Sequence, residues 1–268
     1  MYMNKKFLLL VILVLAGIGG FAQTQFSIYA GGAFPMGNLK AGELKTDNSG
    51  GWDNRDNKIP SKWALMYENG NQGYAGIGFN IGMDLLFPIQ SVDGLGITLG
   101  ADFFYNGYNS ELKDYFSDLE DKDNAPTYKK PRIMNTPILL GVRYLYEVND
   151  GFGLFAEAGA GVNLRFISSY KEEGEDNYTP YYRDGEYTKT IKYDMATTFS
   201  YRIGIGIMLA EHFSIGIDYY GLGSSKVTGK SKTEYENDYY GYDDNSDTKF
   251  KSKALDCSEL ALRIGYHF

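Results

Sequence analysis

A chain of 268 residues with a formal charge of −8 and a pI near 4.9 makes one domain or at most two, and its acidic balance excludes the basic stripe of a nucleic-acid partner. A single Cys excludes a disulfide framework and a Cys-based zinc site. Mean hydropathy of −0.34 reads as soluble, yet 33 Gly, 24 Tyr and 16% aromatics also describe transmembrane strands that are apolar on one side only.

The amino terminus reads as an address. Lys5 and Lys6 precede an apolar run from Phe7 to Ile18, and Gly20-Phe21-Ala22 supplies the small residues of a cleavage site. Residues 1–22 are therefore expected to be a secretory signal peptide and 23–268 the mature domain. No Cys follows the cleavage site, so no lipoprotein is expected. Beyond Gln23 no apolar run approaches the length of a spanning helix, so a membrane could hold this chain only as a closed barrel.

Eight segments then alternate with period two, the mark of strands with two unlike faces. They are Gln25 to Phe34, Gly73 to Phe87, Leu95 to Gly107, about Met134 to Glu147, Phe152 to Phe166, about Ile191 to Leu209, His212 to Gly221 and Cys257 to Phe268. In the second, Ala75, Ile77, Phe79, Ile81, Met83, Leu85 and Phe87 oppose a face of Gly, Asn and Asp. The charges of every segment fall on the second face, although 22% of the chain is charged. A lipid-facing Lys or Arg at mid-bilayer costs about 2–4 kcal/mol, which accounts for the segregation. A soluble barrel of lipocalin type would invert it, and these polar faces are too rich in Gly to make a soluble exterior. Connections two, four and six are tight (Pro88 to Gly94, Asn149-Asp150-Gly151, Ala210-Glu211), whereas Pro35 to Gln72, Tyr108 to Ile133, Ser168 to Thr190 and Leu222 to Asp256 are long. The pattern predicts an all-β fold: an eight-stranded antiparallel up-and-down transmembrane β-barrel with short periplasmic turns, long extracellular loops and both mature termini periplasmic.

The inner face predicts a plug. Eight strands leave a lumen that side chains fill, and Asp84, Asp102, Glu147, Glu157, Asp218 and Glu259 would share it with Arg143, Arg165, Arg202 and Arg263. Enclosed charges persist only when paired. A turn centred on Asp150 sets Arg143 opposite Glu157, and one centred on Ala210 would set Arg202 opposite Asp218.

Three stretches carry a resemblance. Ile133-Met134-Asn135-Thr136-Pro137-Ile138-Leu139-Leu140, Gly153 to Gly159 and Phe213 to Gly223 resemble consecutive strand motifs of the PorT-like outer-membrane β-barrel family, a likeness that covers essentially the whole mature chain. It implies an integral outer-membrane protein, in some members associated with secretion or gliding. The terminal Leu260-x-Leu262-x-Ile264-x-Tyr266-x-Phe268 is similar to the aromatic signal read by the barrel-assembly machinery, with Tyr266 and Phe268 as its key residues.

No constellation carries catalytic chemistry. His212 and His267 both fall at the turn end of the barrel, Gly221 to Lys226 lacks the spacing of a phosphate loop, and Cys257 reads as an inert buried thiol. No enzyme, cofactor or metal is therefore expected. The outer loops carry Tyr170, Tyr178, Tyr181, Tyr182, Tyr187, Tyr235, Tyr239, Tyr240 and Tyr242, either as recognition surface or as strands continuing above the membrane. Asp118, Glu120, Asp121, Asp123, Asp243, Asp244 and Asp247 read as solvated acidic loops rather than Ca²⁺ sites, since neither group has the full loop spacing. Expected partners are outer-membrane lipid, lipopolysaccharide, the assembly machinery and an envelope or secretion complex. The expected role is a structural or interaction barrel; the alternative is a surface adhesin or receptor.

Overall fold

A computed structural model describes residues 24–40, 63–120, 126–176, 185–237 and 242–268. The expected signal peptide lies outside the described residues. In chain order the elements are β1 (Gln25–Met36), α1 (Gly37–Lys40), β2 (Ala75–Pro88), β3 (Leu95–Tyr108), α2 (Ser110–Glu120), β4 (Thr127–Lys129), β5 (Ile133–Asn149), β6 (Phe152–Ile167), β7 (Tyr170–Asp176), β8 (Gly185–Tyr193), β9 (Ala196–Leu209), β10 (Phe213–Asn237) and β11 (Tyr242–His267). Strands β1, β2, β3, β5, β6, β9, β10 and β11 form an antiparallel ring. It closes where β11 meets β1, from Ser27 opposite His267 to Met36 opposite Ser258. Closure leaves the barrel without an open edge.

The two faces separate as their alternation requires. Leu140, Phe199, Ile205 and Ile264 are each more than 60% exposed, and they belong to an uncharged band around the outside. So much contiguous apolar surface is what a bilayer solvates and water does not. Ala75 departs from the expected face and is buried, because the β2–β3 register shifts between Ala75 and Gly78. Pro137, which has no N–H to donate, sits where the β3–β5 ladder is interrupted, between Ala101 opposite Ile138 and Phe104 opposite Asn135.

At one end the connections are tight. Ala210 and Glu211 both take positive φ (48° and 62°), and Leu209 pairs with Phe213. At the other end the elements build a second layer. The sixth expected strand begins only at Ala196, since Ile191 belongs to β8, and the long seventh connection is largely strand. There β10 and β11 run on as one hairpin, and β8, β7 and β4 add to the side of β10. A bulge between Gly221 and Ser224, with Gly223 at φ 76°, marks the passage out of the barrel.

Beneath this sheet lies a packed cap. Asn109 Oδ1 accepts a hydrogen bond from the Leu112 N–H at 2.9 Å and so caps α2, which buries Leu112 and Phe116 one turn apart. Trp63 packs edge-on to Tyr108 (6.0 Å) and Phe116 (5.8 Å), and Leu39, Leu65, Tyr170, Ile191, Val227 and Phe250 complete a core continuous with the upper barrel. Tyr170, expected either on a recognition surface or in a strand continuing above the membrane, opens β7 and is 1% exposed. Of the other loop tyrosines, Tyr178, Tyr181, Tyr182, Tyr239 and Tyr240 lie outside the described residues, as do Asp121 and Asp123.

Candidate functional site

The lumen is built from inward positions that meet across the ring. Arg143 stands opposite Glu157, as the turn arithmetic predicts. Its Nε and Nη2 donate to Glu157 Oε2 at 3.0 and 2.7 Å, and Nη2 also reaches Tyr29 Oη at 2.6 Å and Asp84 Oδ2 at 3.4 Å. Arg263 donates to Asp218 Oδ2 at 2.6 Å, to Glu157 Oε1 at 2.6 Å and to Asp102 Oδ1 at 3.3 Å. Arg202 spans Asp84 (3.4 and 3.2 Å), and its Nε lies 3.1 Å from Glu157. Three guanidiniums thus knit four carboxylates into one buried network, and the Tyr220 hydroxyl donates to Asp102 at 3.0 Å. Arg suits this place because its planar fork serves several carboxylates at once.

Glycines make the room. Gly82 stands opposite Asp102, Gly100 opposite Asp84 and Gly204 opposite Asp218. A Cβ on any of the three would lie 1.8–2.0 Å from the facing carboxylate oxygen. Each aspartate therefore folds across the bare backbone opposite it.

The expected Arg202–Asp218 pair does not form. Leu209 opposite Phe213 centres the hairpin on Glu211 instead of Ala210, so Arg202 faces Tyr220, and Asp218 takes Arg263 as its partner. Glu147, expected inside, is exposed near the turn end. Arg165 is buried as expected but has no carboxylate partner among the described residues. It donates to Gly223 O (2.9 Å), Leu255 O (3.3 Å), Ser225 Oγ (3.0 Å) and Asn135 Oδ1 (3.3 Å), tying the bulged backbone to the barrel mouth. Glu259 accepts from Asn106 Nδ2 at 3.3 Å, beside Asn135 and Asn163 in the same tier.

Sequence reasoning missed the floor of the lumen. His267 points inward with Nδ1 2.7 Å from Ser27 Oγ and Nε2 2.8 Å from Ser214 Oγ, a bar across the turn end. The inward parity of Ser27, Ser214 and His267 was the available signal. Outside, Tyr266 packs on Phe213 (5.2 Å) and Phe268 (4.8 Å), and Phe268 stacks on Phe26 (5.7 Å), so the two terminal strands meet through aromatic rings. Cys257 is a free buried thiol. Among the described residues no cluster of His, Cys, Asp and Glu could hold a metal ion.

An even-stranded closed barrel, apolar outside and charge-filled within, with tight turns at one end and long hairpins at the other, defines a small outer-membrane-type β-barrel. No family model matches the chain and no curated protein matches it, so the PorT-like resemblance rests on its strand motifs alone. Among solved structures it is similar to Neisserial surface protein A, at 9% identity over 91% of this chain and 95% of that one, with a TM-score of 0.40. It is similar also to OprG from Pseudomonas aeruginosa (15%, 91% and 95%, TM-score 0.39). A third is Ail of Yersinia pestis, solved with the heparin analogue sucrose octasulfate (13%, 92% and 99%, TM-score 0.34). At these identities the likeness concerns fold alone.

Proposed function

We propose that this chain is a non-enzymatic integral outer-membrane protein whose sealed lumen is structural and whose capped, hairpin-bearing end is an interaction platform of the cell envelope. The observation that carries the reading is the continuation of β10 and β11 beyond the apolar band into a sheet with β8, β7 and β4, seated on a packed core above the mouth. A plugged barrel has no path to conduct through, and a rigid platform is suited to holding a partner. In this reading residues 1–22 are removed, both mature termini are periplasmic, and Tyr266 and Phe268 serve delivery to the assembly machinery. On its strand motifs the chain is grouped with PorT-like barrels, which makes an envelope or secretion complex the expected partner.

Orientation and role are tested separately. Ser246→Cys, at an exposed position of the hairpin, should react with a membrane-impermeant maleimide on intact cells while Cys257 stays silent. Labelling only after the outer membrane is opened would reverse the orientation. Affinity capture from native outer membranes should yield co-purifying proteins that are lost when the hairpin above Thr228 is shortened. Loss of adhesion to host or matrix ligands, with the co-purifying set unchanged, would favour a surface adhesin instead.

A further inference from the structure

The lipid-facing side of β10 does not end at the apolar band. Phe213, Ile215, Ile217 and Tyr219 point outward within the barrel, and beyond the bulge at Gly223 the same side continues as Ser224, Lys226, Thr228 and Lys230. Lys230 stands directly between Lys192 on β8 and Lys249 on β11, three ammonium groups in one cross-strand row. Lys251 lies opposite Thr228, one row nearer the barrel, with Lys253 and Lys226 lower still. All six are exposed, and among the described residues none has an ion-pair partner. Lys232, one row farther out, is by contrast tied to Glu234. The carboxylates of Glu186, Glu234 and Glu236 gather toward the hairpin tip.

Like charges set directly opposite one another destabilise a sheet, and this chain holds 34 acidic residues against 26 basic ones from which partners could be drawn. Lysines are commonly placed on edge strands to prevent unwanted pairing. That accounts for Lys249, Lys251 and Lys253 on β11, whose upper part has a neighbouring strand on one side only. It does not account for Lys230, because β10 is paired on both sides there.

We propose that this lysine face binds the phosphates of the membrane's own outer-leaflet glycolipid, that is, the lipid A and inner-core phosphates of lipopolysaccharide. Two observations select that occupant over a soluble polyanion. The face is continuous with the lipid-facing side of the barrel, so it is turned sideways toward neighbouring lipids. The Lys192–Lys230–Lys249 row also lies between the apolar band and the acidic tip, with Asp194 and Asp256 the carboxylates on its barrel side. The inference rests on the reading that the hairpin end faces outward, but binding to isolated lipid does not depend on orientation, so the maleimide experiment and the following one fail independently.

The full chain in detergent micelles is titrated with diphosphoryl lipid A, with chemically dephosphorylated lipid A and with heparin. Lys192→Gln/Lys230→Gln/Lys249→Gln should weaken diphosphoryl lipid A binding by at least about tenfold, since each lysine near an anionic surface contributes about fivefold. The corresponding triple Arg variant should bind as the parent does, and dephosphorylated lipid A should bind both the parent and the Gln variant weakly. Equal binding of diphosphoryl lipid A by parent and Gln variant overturns the proposal. So does equal binding of the two lipids by the parent, or a loss confined to heparin, which would assign the face to a soluble polyanion. Far-UV circular dichroism and heat-dependent gel mobility establish folding, and Lys230→Gln alone, expected at about fivefold, serves if the triple variant does not fold.

Discussion

Arg143 and Glu157 show how far a hairpin count can reach. A turn centred on Asp150 places them opposite each other, and the 2.7 Å contact follows. Removing either side chain leaves its partner's charge buried, at a cost of about 3–5 kcal/mol. The double Ala variant should cost well under the sum of the singles, measured by urea unfolding of the micelle-bound barrel. The same cycle on Arg202 and Asp218 should give a much weaker coupling, because their nearest carboxylate and guanidinium partners lie elsewhere. That second pair was not legible: moving a hairpin's centre by one residue moves each partner by two, and nothing in Ala210-Glu211-His212 announces where the centre falls. The sequence did signal that small residues separate the charges, but only the register reveals that Gly82, Gly100 and Gly204 each lie under a specific aspartate. Gly100→Ala should therefore drive Asp84 from its two arginines and destabilise the barrel by about 1–3 kcal/mol, read by the same unfolding midpoint.

Among the elements, the barrel strands were readable because a bilayer imposes one rule on every outward residue, whereas the cap obeys no such rule. Its core is assembled from single residues of many connections, such as Trp63, Leu112, Tyr170 and Phe250, and no periodicity links them. Within it the Glu172 carboxylate accepts the hydroxyls of Tyr170 (2.7 Å) and Tyr187 (2.8 Å). Burial first, and Glu172 second, push Tyr170 and Tyr187 above the ordinary phenol range, and the same two causes push Tyr67 up to about 12. A pKa raised on folding contributes stability that is complete below the unfolded value near 10 and is lost as pH rises toward the folded one. The cap should accordingly loosen above about pH 10 while the barrel's strand signal persists, seen as near-UV dichroism falling before far-UV. Trp63→Ala should produce the same separation at neutral pH, exposing cap amides to hydrogen exchange and leaving the barrel ladder protected.

For the molecule as a whole, a lumen filled by an arginine–carboxylate network, floored by His267 and roofed by the Trp63 core, should not conduct. Planar bilayers containing the purified chain should stay electrically quiet, and stable openings of porin size would contradict the packing described above. The Ala210-Glu211 turn bears on the same whole. Left-handed backbone costs L-residues about 1–2 kcal/mol each, so Ala210→Asn/Glu211→Gly should raise the refolding midpoint without altering the closed state.

The two longest strands carry one more consequence. The strand that completes the ring against β1 is the same one that rises into the long hairpin. Tension applied to the hairpin's tip is therefore directed along the strands and borne in shear by the whole seam from Ser258 to His267 together, instead of peeling it open one bond at a time.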